Sequence, residues 1–181
     1  MAPNRSFRIG PDNTRLIVRT GREGVASRVG HDLTLTFGSW SGQVDVPGDD
    51  VTRASVRVDV HLTSIEIIEG TGGVAPLTGR DRREITKTAL RLLDTDAHPD
   101  AVFESTAVTA DGGQTTGTLD GNLTIRGVTA QASLAVTSAT DGWHAEATLH
   151  QRDFGLEPYR AFFGALRLAD EVHVIVDVTQ D

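Results

Sequence analysis

Apolar and polar residues alternate in steps of two along most of this chain, the pattern of strands with one buried face. In SRVGHDLTLTF, residues 27–37, Val29, Leu33, Leu35 and Phe37 fall on one side and Gly30, Asp32, Thr34 and Thr36 on the other. His31 shares the apolar register, an unusual place for a titratable ring. FRIG (7–10) and TRLIVRT (14–20) read as an opening strand pair turned at Pro11-Asp12-Asn13, and SWSGQVDV (39–46) follows Gly38. Pro47-Gly48-Asp49-Asp50 ends that run. The clearest strand is SVRVDVHLTSIEII (55–68), with Val56, Val58, Val60 and Leu62 on one face.

The period changes once. EGTGGVAPLTG (69–79) predicts a loop, and DRREITKTALRLLD (81–94) has helical spacing that puts Ile85, Ala89, Leu92 and Leu93 on one side. Thr78 followed three residues later by Asp81 predicts a capping pair at its start. Strands then resume at 101–110, 115–127, 129–139, 143–154 and 171–178, with Asp111-Gly112-Gly113 and Asp141-Gly142 as hairpin turns. PYRAFFGAL (158–166) fits either a short helix or a loop. The spacing predicts an all-β antiparallel barrel of about eight or nine strands carrying one main helix, in a single domain over residues 1–181.

Composition sharpens that picture. Nine aromatics (six Phe, two Trp, one Tyr) stand against 19 glycines. Several inward positions are small: Ala132 beside Leu134 and Val136, Ala145 and Ala147 beside Leu149, and Gly121 beside Leu119, Leu123 and Ile125. A barrel walled this way is either hollow or plugged by the helix and segment 158–166, and periodicity leaves both open. The net charge of −8 argues against nucleic acid and against broad adsorption to anionic membranes, leaving room only for a local basic spot. No apolar run approaches the roughly 20 residues that span a bilayer. MAPNRSFRIG lacks the basic-then-apolar order of a secretory signal, so the expected compartment is the cytoplasm. The chain has no cysteine, which excludes disulfides and thiolate metal sites.

Two tracts carry a resemblance. LLDTDAHPDAVFESTAV holds His98-Pro99 before Phe103-Glu104-Ser105-Thr106, and GTLDGNLTIRGVTAQASLAV holds Gly121 to Thr129, GNLTIRGVT. With Leu62-Thr63-Ser64-Ile65 and Arg152-Asp153-Phe154-Gly155-Leu156, they resemble the YceI-like family over about Phe7 to Val178. The resemblance implies a lipocalin-like barrel around an elongated apolar tunnel that binds polyisoprenoids, such as a quinone or polyprenyl phosphate, without catalysis or cofactor. It also brings homodimer formation into consideration. Many relatives carry a secretion signal, from which this amino terminus departs.

Site candidates follow. His31 matches a position where relatives often carry histidine, and reads either as a tunnel-lining head-group contact or as a core ring satisfied by a carbonyl. Val29, Leu33, Leu35, Phe37, Leu123, Ile125 and Leu134 are the apolar lining expected around a ligand. Arg152 and Arg160, with Arg82 and Arg83, are candidates for a phosphate head group, each set against an ordinary surface role. Tyr159, Phe162 and Phe163 either gate the tunnel or close the core. His144, Glu146 and His150 share a strand face, but residues 144 and 150 lie about 20 Å apart at strand rise, too far for one metal. No G-x-S-x-G elbow or H-E-x-x-H spacing is present, and EGTGG lacks the Lys-Ser/Thr of a phosphate loop. The leading expectation is a lipid binder. Its rivals are an enzyme with His31 as general base, and a stress-associated interaction domain without a ligand.

Overall fold

The computed structural model describes residues 3–179. Twelve strands form one sheet: β1 (Arg5–Ile9), β2 (Thr14–Glu23), β3 (His31–Phe37), β4 (Trp40–Val46), β5 (Ser55–His61), β6 (Ile65–Gly72), β7 (Asp100–Ala110), β8 (Thr116–Ile125), β9 (Val128–Ala139), β10 (Gly142–His150), β11 (Arg160–Ala161) and β12 (Leu166–Thr179). One helix, α1 (Gly79–Leu92), interrupts them.

Twelve segments reduce to eight barrel strands because three pairs run end to end and the two-residue β11 lies off the main path. β1 then β2 pair along β4 then β3, and these in turn pair along β5 and β6. Each bend is a break in the ladder: Gly10–Asn13, Gly38-Ser39, and the tight turn Leu62–Ser64. From β5 the antiparallel ladder passes through β7, β8, β9, β10 and β12 and returns to β2. The sheet thus curls back to the strand where it began, and the lipocalin-like barrel is established. β11 adds only a short pairing on β12.

Three local expectations are corrected. FRIG and TRLIVRT do not pair with each other. The Gly10 carbonyl accepts the N–H groups of Asn13 and Thr14 at 3.2 and 2.8 Å, which re-aims the chain without reversing it. Burial of Ile9, Leu16 and Trp40 in one cluster fixes that bend. Val29 is not in the strand: the Val29 and Gly30 N–H groups bond back to Ala26 and Ser27, both at 3.1 Å, so a tight turn leaves Val29 43% exposed. The 55–68 strand is split at Leu62–Ser64, and β6 extends to Gly72, shortening the expected loop.

The helix begins as its capping pair predicts. Thr78 Oγ1 accepts the Asp81 N–H at 3.2 Å, while Asp81 Oδ2 accepts the Thr78 N–H at 2.8 Å. It ends at Leu92, two residues short of the expected limit. Its placement answers a backbone problem. β6 has a ladder partner only on its β3 side, and an open edge costs unpaired carbonyls. Arg82 Nη1 donates to the carbonyls of Ile67 and Ile68 at 2.6 and 3.1 Å, tying α1 over that edge. Segment 158–166 becomes β11 and one tight turn at Phe162–Gly164.

Gly121 is small for a neighbour's sake. A Cβ there would meet the Phe103 ring and the Glu104 carbonyl, both at 2.5 Å, so the ring from β7 already lies over it. Gly121→Ala is expected to destabilise by about 1–3 kcal/mol through overpacking, read as a lower denaturation midpoint with unchanged slope. On the outer face, His144 Nδ1 and Asp177 Oδ1 lie 2.6 Å apart. That hydrogen bond, with the charges of Asp177 and Glu146, raises the His144 pKa above its usual value despite a smaller opposing desolvation. A raised folded-state pKa means this stabilisation is complete below about pH 6.5 and is lost as pH rises through the raised value. Melting temperatures of wild type and His144→Gln across that range should therefore converge on the alkaline side.

Candidate functional site

The inward faces do not fill the barrel. One chamber of about 300 Å³ lies between β4, β5 and the β7–β10 sheet, walled by side chains such as Val44, Val58, Phe103, Leu134, Trp143 and Val176. A second, of about 510 Å³, lies between β2, β3, β6, β12 and α1. Leu16, Val60, Leu123, Leu149 and Val174 belong to both walls, so the chambers sit end to end along the barrel axis. Ala132, Ala145 and Ala147 line the first chamber, where larger residues would close it. The helix does not plug the second: Ile85, Ala89, Leu92 and Leu93 form its side wall. Segment 158–166 contributes only Tyr159 and Leu166.

Charged groups gather at the two ends, while Thr20, Thr86 and Thr88 are set into the otherwise apolar wall of the second chamber. Arg5, Thr109, Gln114, Thr116 and Thr118 lie at the far end of the first chamber, near the β7–β8 turn. At the opposite end, Arg22, His31, Tyr159 and Arg167 edge the second chamber, with Glu84 and Gln151. Two of these cations come already tethered. Arg22 donates to the carbonyls of Gly30 and Thr71 and lies 3.7 Å from Asp32, and Arg167 Nε lies 3.0 Å from Glu23. Both guanidiniums carry five N–H donors, which leaves capacity for an oxygen-bearing end group.

His31 answers to both of its expected descriptions. Its ring lines the second chamber, and Nε2 lies 2.8 Å from the Ala75 carbonyl. A carbonyl only accepts, so Nε2 carries a proton and donates it. Gly73 (φ +71°) packs directly on the imidazole, where a Cβ would come within 2.5 Å of Nε2. Asp81 is close enough for His31 to help hold its carboxyl below the ordinary range, after the larger effects of the Thr78 hydroxyl and N–H. Backbone, not an acid or a nucleophile, is thus what holds the ring.

The other candidates separate cleanly. Leu33, Leu35, Phe37, Ile125 and Tyr159 line the second chamber, Leu134 the first, and Leu123 both. Val29, Arg152, Arg160, Phe162 and Phe163 line neither. Arg152 and Arg160 sit on the surface, 3.9 and 4.0 Å from Glu157. Phe162 and Phe163 do not close a core: they are 64% and 113% exposed. Arg82 and Arg83 face an outer groove between β6 and α1. Sequence reasoning missed Arg22, although Leu16, Val18, Thr20 and Arg22 keep period-two register and all four line the second chamber. His144, Glu146 and His150 stay on the outer face with their own partners, and among the described residues no cluster could hold a metal ion.

Gly73→Ala should force the loop off His31, through both the positive φ and the close approach. The expected result is a melting-temperature loss exceeding that of Gly112→Ala, whose added Cβ meets nothing.

Comparison with known proteins agrees with this architecture. The YceI-like domain matches residues 8–180, so the chain belongs to that family. Among solved structures, Burkholderia cenocepacia BcnA is similar with a TM-score of 0.64 at 17% identity, covering 90% of this chain and 96% of that one. The Campylobacter jejuni YCEI protein gives 0.56 at 14% identity, covering 81% of this chain and 85% of that one. A cysteine variant of the same protein, carrying a monobromobimane guest, gives 0.57 over the same shares. Comparison with curated protein sequences returned no match.

Proposed function

We propose that this YceI-like chain is a non-enzymatic binder of one long apolar molecule of isoprenoid type, held lengthwise through both chambers. The observation that carries the reading is the pair of end-to-end, mainly apolar chambers whose charged groups gather at their ends. Such a shape matches a chain-like guest with an end group, rather than a compact polar substrate. Desolvation of the guest supplies the affinity, at about 0.8 kcal/mol per methylene. Arg22 and Arg167 donate to an oxygen-bearing terminus such as a quinone or a phosphate, and the His31 ring packs beside it. Family membership supports the isoprenoid class, as does a tunnel that a short chain would leave half empty. A general-base role for His31 finds less support, because its ring is held by the Ala75 carbonyl and the nearby Asp81 carboxylate is already engaged by Thr78.

Native mass spectrometry after organic extraction and reloading tests the reading. The protein should take up one equivalent of a polyprenol or a long-tailed quinone. Affinity should rise about fourfold per added methylene until the tunnel is full. Ala147→Phe, which fills the first chamber, should shift preference to shorter chains while leaving the fold intact by circular dichroism. Equal affinity for short and long chains would overturn the proposal. His31→Ala should weaken binding modestly and equally for all chain lengths, since it touches only the end group.

A further inference from the structure

Three loops surround the polar end of the second chamber: residues 24–30, 73–78 and 157–165. They are held to one another and to the mouth. The Ala26 N–H donates to the Ala165 carbonyl at 2.8 Å, His31 reaches Ala75, and Leu166 packs on Gly30. Tyr159 both lines the chamber and is 41% exposed, so the loops reach solvent at its opening.

The loop tips are apolar. Val25 is 95% exposed, Val74 82%, Phe162 64% and Phe163 113%. Phe162 and Phe163 also adopt φ of 50° and 56°, a region that bulky residues rarely enter, and so their rings stand out from the surface at a backbone cost. Charge on and beside these loops runs against that of the chain. They carry Arg28, Arg160 and the adjacent Arg80 against Glu157, 4.0 Å from Arg160, and the adjacent Asp81, a local excess of one cation where the whole protein is −8. The nearby acids Glu23 and Asp32 face Arg167 and Arg22.

We infer that this rim is a docking surface for an anionic lipid bilayer, set around the opening through which the guest enters. Apolar tips with interspersed arginines suit the headgroup–acyl boundary, where rings insert and cations meet lipid phosphates. A stable protein interface needs roughly 20–30 residues a side, whereas scattered loop tips offer a handful. The inference rests on the lipid-binding reading for the purpose of the docking, not for its occurrence.

The test is flotation of the full-length protein with vesicles of phosphatidylcholine alone and of phosphatidylcholine with phosphatidylglycerol. Wild type should float with the anionic vesicles, less with the neutral ones, and less as salt rises. F162S/F163S should lose at least roughly tenfold in vesicle affinity, from two exposed rings withdrawn from lipid. F163W should retain binding and shift its emission to the blue on anionic vesicles. Polyprenol uptake from detergent solution by F162S/F163S keeps the two ideas apart. Normal uptake with lost flotation supports the docking surface. Flotation of F162S/F163S equal to wild type, absence of flotation by wild type, or a wild-type dimer that becomes a monomer in F162S/F163S without vesicle binding would each overturn it. Failure of uptake by wild type would instead sink the lipid-binding reading and leave the flotation result to stand alone.

Discussion

Backbone hydrogen bonding around a closed antiparallel ladder does in this protein what a solid core does in others. β1–β2, β3–β4 and β5–β6 each bend and continue, so that one set of ladders meets β7 on one side and β12 on the other. Closure leaves few strand edges to satisfy, and α1 covers the one along β6 through Arg82. Side-chain burial alone is a weak organiser here. Among the described residues no side chain falls below 2% exposure, and the buried cluster at the first bend comprises Ile9, Leu16 and Trp40.

A ladder held this way permits an interior that is not filled. Alanines at 132, 145 and 147 cost packing contacts with each other, but the strands they sit on are already fixed by their neighbours. Gly121 shows the opposite use of a small residue, since the Phe103 ring occupies the space it leaves. The same composition signal, small residues on inward faces, therefore records a cavity at some positions and close packing at another. Only the cross-strand partner distinguishes them.

Strand periodicity made most of the barrel legible, because a step-of-two pattern survives wherever one face is buried. It revealed Val56 to Leu62, the β12 valines and the helix face of Ile85, Ala89 and Leu92. Pairing was less legible. An 11–13 turn reads alike whether it reverses the chain or only bends it, and the burial of Trp40 beside Ile9 and Leu16 decides between these at long range. Among the site residues, the apolar lining followed from register, while the charged ones did not. Arg22 lay one step beyond the strand as first bounded, Arg152 fell in the polar register of the expected 143–154 strand with His144, Glu146 and His150, and Arg160 had no register to argue from. Phe162 and Phe163 looked like core because aromatic rings usually are. Their left-handed backbone, invisible in a sequence without glycine at those positions, turns them outward.

The unfilled interior also bears on mechanical behaviour. Chambers of about 300 and 510 Å³ are volume that the unfolded chain surrenders to solvent, so unfolding shrinks the system. Hydrostatic compression therefore bears on the space that the side chains leave between the strands. An apolar molecule held along the axis would offset that effect, adding a resistance to squeezing that the side chains alone do not provide.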